Sequence, residues 1–146
     1  MNSQHMRAIH PASNPAPLAR PLFGHSVRAG FPSPADDYVS EALDLNEHLI
    51  AHKESTFFLR TKGHSMTGAG IQNGDLLIVD RSITPAHRMI VIAVVDGEFT
   101  VKRLFKRAGK VRLLAENPDF AAIEFHDGQE LLIWGVVTNV IHRMQP

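Results

Sequence analysis

The chain is 146 residues long and carries 15 basic and 15 acidic side chains, so no net field draws it to nucleic acid or to anionic membrane. It has no cysteine, which removes disulfides, a thiolate nucleophile and cysteine-based zinc sites. No apolar run approaches the roughly 18 residues of a membrane-spanning helix, and no signal-peptide core opens it, so a cytoplasmic chain of one domain's length is expected.

Residues 1–34 hold six of the nine prolines, Pro11, Pro15, Pro17, Pro21, Pro32 and Pro34. With Asn and Ser between them, this stretch cannot form a helix or an inner strand. Residues 1–20 read as a disordered tail. Leu22–Phe31 is more apolar, through Leu22, Phe23, Val27, Ala29 and Phe31, and is expected to dock. Within it, Ala29-Gly30 is a small pair that lets another group approach the backbone closely.

Asp36 to His52 predicts one or two short helices, capped by Asp36 or Asp37, with Leu43, Leu45, Leu49 and Ile50 as the apolar stripe. His48 and His52 are four apart on that helix, a spacing zinc can use, but no third ligand is in register and no metal site is expected. Thr56–Arg60 is a strand running into a loop in which Gly63, Gly68 and Gly70 permit sharp turns. Asn73-Gly74 is a turn, followed by an apolar strand, Leu76–Val79.

From Met89 to Ala115 the pattern is all strand. Ile90–Val95 turns at Asp96-Gly97 into Glu98–Leu104, and Ala108-Gly109 turns into Val111–Ala115. Asn117-Pro118 breaks the run, a short strand lies near Ile123, Asp127-Gly128 turns again, and Leu131–Ile141 closes the chain with Trp134 and Gly135 inside it. The fold class is mostly β: bent antiparallel sheets, a flexible N-terminal arm and one or two short helices.

Two residues stand out chemically. Ser65 lies in Lys62-Gly63-His64-Ser65-Met66, and Lys102 in Phe99-Thr100-Val101-Lys102-Arg103. A serine hydroxyl needs a base to take its proton, and a lysine can be that base once its charge is removed. A lysine in water stays protonated to about pH 10, and burial among apolar neighbours lowers that value. Phe99, Val101 and Leu104 flank Lys102 in keeping with burial. Residue type alone leaves open a plain glycine-flanked turn at Ser65 and a strand lysine with a solvated head. His64 is poorly placed as a base for Ser65, because adjacent residues on an extended segment point to opposite faces.

Several segments occur in order: Ala29-Gly30-Phe31-Pro32-Ser33-Pro34, Asp37-Tyr38-Val39, Asp44-Leu45-Asn46, Gly63-His64-Ser65-Met66, Gly74-Asp75-Leu76-Leu77-Ile78-Val79-Asp80 and Asp96-Gly97-Glu98-Phe99-Thr100-Val101-Lys102. From Pro21 to about Val140 this set resembles the UmuD-type members of the LexA-like serine peptidases; Met1–Met6 departs from their pattern. The resemblance implies the LexA-like C-terminal peptidase fold, with Ser65 as nucleophile, Lys102 as general base and the N–H groups of His64 and Ser65 as the oxyanion hole. It implies self-cleavage of the Ala29–Gly30 bond in the SOS response, stimulated by RecA–single-stranded DNA filaments. Residues 1–29 would then be the removable arm and 30–146 the peptidase and dimerisation domain. The shortened product would be a homodimer serving a UmuC-type translesion DNA polymerase, without metal or organic cofactor, membrane contact or sequence-specific DNA binding. The alternative is a non-catalytic polymerase- or RecA-binding module on the same fold. A LexA-like repressor would need an N-terminal DNA-binding domain that thirty-odd proline-rich residues do not supply, and a signal peptidase would need a membrane anchor.

Overall fold

Short apolar runs punctuated by glycine-containing turns become strands in the computed structural model, which describes residues 11, 15–23, 27, 30, 39–125 and 130–145. In chain order these are β1 (Ala19–Phe23), β2 (Val39–Asp44), helix α1 (Leu45–Leu49), β3 (Thr56–Arg60), β4 (Leu76–Asp80), β5 (Ile90–Val95), β6 (Glu98–Arg107), β7 (Lys110–Leu114), β8 (Ile123–Glu124) and β9 (Leu132–Ile141). They fall into two compact units, residues 12–51 and a larger unit containing His52–Pro146.

In the smaller unit β1 pairs antiparallel with β2, Pro21 facing Ala42. Pro21 is tolerated because each strand of a two-stranded sheet is an edge. The expected disordered tail through residue 20 is therefore corrected at Ala19 and Arg20, which begin β1. Of the one or two short helices expected within Asp36–His52, the described residues form one, Leu45–Leu49, and the expectation is corrected over Val39–Asp44, which is strand. The cap is Asp44, whose Oδ1 accepts from Asn46 N at 3.0 Å. Ladder hydrogen bonds to β1 give this stretch a partner that the helical stripe could not anticipate. His52 lies beyond the helix and instead bonds through Nδ1 to Asp80 Oδ2. The Asp36, Asp37 and Asp127-Gly128 expectations lie outside the described residues.

The larger unit is a seven-stranded antiparallel sheet in the order β3-β4-β9-β5-β6-β7-β8. Its two central hairpins are set by Asp96-Gly97 (φ 50° and 78°) and Ala108-Gly109 (φ 54° and 75°). Two successive positive φ values give the turn whose twist matches the flanking strands. Register shifts at Ile78/Val79 and Ile92/Ala93 bend the sheet around β9. Strand alternation sorts apolar residues into two buried clusters. One contains Leu59, Met66, Leu77, Val79, Ile92 and Val101, with Phe57, Phe99 and Trp134 packed against it. The other contains Val91, Ala93, Leu104, Leu113 and Val136. Among the described residues no helix is long and apolar enough to cross a membrane.

Candidate active site

The loop between β3 and β4 carries Ser65, and the backbone closes its neck. Thr61 N donates to Asp75 O and Gly74 N donates to Thr61 O, each at 2.9 Å. Inside the neck, Gly63 N donates to Asn73 Oδ1 at 2.8 Å and Gln72 N to Asp75 Oδ2 at 2.7 Å. Met66 plugs the loop into the first apolar cluster. Its carbonyl accepts from Ala69 N at 3.0 Å and Ile71 N at 3.2 Å, winding the chain into a single 3-10 turn over Thr67–Ala69. With Met66 buried, its neighbour Ser65 is left half-buried.

Lys102 comes from the middle of β6, opposite Val91 of β5. Only 9% of its surface is exposed, and Leu104, two residues on, belongs to the second cluster. Phe99 and Val101 pack on the first cluster instead, so both faces of the strand are covered here. The Lys102 amine lies 2.9 Å from Ser65 Oγ, 3.1 Å from Thr100 Oγ1 and 3.2 Å from Val101 O. Burial lowers its pKa from the ordinary lysine value, because the ammonium loses hydration.

Three neighbours suit a neutral amine well. Such an amine has two N–H donors and one lone pair. The Val101 carbonyl can only accept, and Thr100 can accept, so together they use both donors. The lone pair is then left for the hydroxyl proton of Ser65. Thr100 is a site residue that sequence reasoning missed. Its signal was present, since residues two apart on a strand share a face.

A second segment holds the Ser65 loop from the other side. Glu116 N donates to Ser65 O at 2.8 Å, and Gly68 N donates to Glu116 O at 2.7 Å. Asn117 Nδ2 donates to His64 O at 2.8 Å. Glu116 also pairs through its carboxylate with Arg103, the residue after Lys102. The His64 side chain is exposed. Gly30 is exposed as well, and its neighbour Ala29 lies outside the described residues. Among the described residues no three His, Cys, Asp or Glu side chains are placed to hold a metal ion.

Residues 21–138 match the model of the Peptidase S24-like family. The chain belongs to this family. It is 46% identical over 144 residues to Protein ImpA of Salmonella typhimurium, covering 98% of this chain and 97% of that protein. It is 43% identical over 120 residues to Protein MucA of Escherichia coli, covering 82% of each. LexA repressor 2 of Geobacter sulfurreducens is 41% identical over 128 residues, which cover 87% of this chain and 62% of the repressor. These relatives place the S24 chain among the UmuD-type, LexA-like proteins.

Proposed function

We propose that this S24 peptidase is a self-cleaving serine–lysine enzyme, with Ser65 as nucleophile, Lys102 as general base and the Ala29–Gly30 bond as substrate. The observation that carries the reading is the 2.9 Å approach of a buried lysine amine to a serine hydroxyl. Neutral Lys102 takes the Ser65 proton as Oγ attacks the Ala29 carbonyl carbon. The oxygen, now negative, is met by the N–H groups of His64 and Ser65. Lys102 passes its proton to the Gly30 nitrogen as the C–N bond breaks, leaving residues 1–29 as an ester on Ser65. Water then attacks the ester while Lys102 accepts its proton, and return of that proton to Oγ restores both residues.

The likeness to ImpA and MucA, together with the motif resemblance, supports a setting in the SOS response. There a RecA–single-stranded DNA filament would favour docking of the arm, a population shift that contributes no catalytic group of its own. The 30–146 product would act as a homodimeric partner of a UmuC-type translesion polymerase. Incubation of the purified chain at mildly alkaline pH tests the chemistry. Mass spectrometry should show a fragment beginning at Gly30, and Ser65→Ala should yield none. Cleavage at another bond would overturn the substrate assignment, and wild-type cleavage by Ser65→Ala would overturn the nucleophile.

A further inference from the structure

Asn117 has two hydrogen bonds that fix its amide in one orientation. Its Oδ1 accepts from Asp119 N at 3.0 Å, so the other end of the amide, Nδ2, must be the group that donates to His64 O at 2.8 Å. The His64 carbonyl belongs to the same peptide unit as the Ser65 N–H. That unit is planar and trans, so its C=O and N–H point in opposite directions. A donor that holds the oxygen therefore sets the direction of the hydrogen. Hydrogen bonding at the carbonyl also polarises the peptide and strengthens its N–H as a donor.

The next peptide unit is held in the same way. Ser65 O accepts from Glu116 N at 2.8 Å, and Glu116 O accepts from Gly68 N at 2.7 Å. Two consecutive residues, Glu116 and Asn117, thus clamp the carbonyls on either side of the Ser65 Cα. Only the Asn117 contact is made by a side chain, so it is the one that side-chain truncation removes without altering the backbone.

We propose that Asn117 is a positioning residue for the oxyanion site: by clamping the His64 carbonyl it aims the Ser65 N–H at the substrate oxygen that becomes negative. This rests on the serine–lysine reading above. Whereas the Lys102 amine bonds to Ser65, Thr100 and Val101, Asn117 bonds to His64 O and Asp119 N. Its loss should therefore lower the rate of the chemical step without changing the protonation of the base.

The test is the pH–rate profile of self-cleavage in the full chain, for wild type, Ser65→Ala, Asn117→Ala and Asn117→Asp. Asn117→Ala should lower the alkaline plateau roughly 10- to 100-fold, below the loss seen when an oxyanion donor itself is deleted. Its pH midpoint should stay at the wild-type value. Asn117→Asp keeps the Oδ1 acceptor for Asp119 N but cannot donate to His64 O, so it preserves the turn if the alanine variant fails to fold. Its added charge can raise the midpoint, so its plateau above that midpoint is the deciding quantity, and it should fall by a similar factor. A wild-type plateau in the folded variant would overturn the role of Asn117. A lowered rate explained wholly by an upward midpoint shift in Asn117→Ala would overturn it too, because the effect would then run through Lys102. If Ser65→Ala cleaves like wild type, the serine–lysine reading itself fails, and that outcome is separate from both.

Discussion

Thr100 Oγ1 lies 3.1 Å from the Lys102 amine, on the same face of β6 and two residues before it. This hydroxyl and the Val101 carbonyl occupy two of the amine's positions and leave one for Ser65. Thr100→Val keeps the shape and removes the acceptor. Self-cleavage should fall roughly 10-fold, on the scale of a misaligned acid–base group. A hydrogen bond to the ammonium favours the charged form, so its loss should move the pH midpoint down. Thr100→Ser should restore both. A higher midpoint in Thr100→Val would contradict this geometry.

Lys102 also makes stability depend on pH. Burial holds its pKa below the unfolded value, so the unfolded chain binds more protons and stability increases with pH. The gain is complete above the unfolded lysine value near pH 10 and is lost as pH falls through the folded value. Lys102→Met, similar in length and uncharged, should be at least as stable as wild type at pH 7 and should lack this rise between pH 7 and 10. Urea midpoints measured across that range decide it. The same variant should not cleave. Lys102→Arg should also fail to cleave, because a guanidinium keeps its proton in proteins.

The strands from β3 onward were legible because their signals are local: apolar runs, period-two alternation and dipeptides such as Asp96-Gly97 that allow positive φ. The stretch before β3 was not. Val39–Asp44 has residues compatible with a helix, and it becomes a strand through pairing with β1, about 20 residues earlier. The site divides along the same line. Ser65 and Lys102 are visible as residue types, but their approach across 37 residues is a property of the sheet order. Asn117 reads from sequence as a turn former beside a proline. Nothing local shows that its side chain reaches back 53 residues to His64.

Two glycines should separate loss of activity from loss of stability. A Cβ on Gly68 would lie 2.5 Å from the Glu116 carbonyl oxygen, a backbone atom that also holds the Ser65 loop. Gly68→Ala should shift that loop and reduce cleavage more than it reduces stability. A Cβ on Gly135 would lie 2.6 Å from Cγ1 of Val79, which is fully buried. Gly135→Ala should cost about 1–3 kcal/mol, the usual range for overpacking, and leave the rate per folded molecule unchanged. Chemical denaturation combined with cleavage rates checks both. Equal ratios of rate to stability loss in the two variants would count against the distinction.

Asp80, at the end of β4, is 3% exposed and accepts four hydrogen bonds. Oδ1 accepts from Ser55 Oγ at 2.8 Å, Ser82 Oγ at 2.7 Å and Ser82 N at 2.8 Å, and Oδ2 accepts from His52 Nδ1 at 2.5 Å. Burial alone pushes this carboxyl up, but the bonds from Ser82, His52 and Ser55 outweigh it and hold the pKa at about 2. The folded value lies below the unfolded one, so the stabilisation is fully present above about pH 4 and is lost as pH falls towards the folded value. Asp80→Asn replaces one acceptor oxygen with a donor that opposes either His52 or the two serines. The cost at pH 7 should be about 2–3 kcal/mol, as for a buried charged acceptor removed from its donors. The gap between Asp80→Asn and wild type should then narrow steadily from pH 5 to pH 2, as the wild-type carboxylate takes up its proton. Denaturation midpoints of the two proteins across that range provide the measurement. A gap that is as wide at pH 2 as at pH 7 would show that the carboxylate charge is not what holds Ser55, Ser82 and His52 in place.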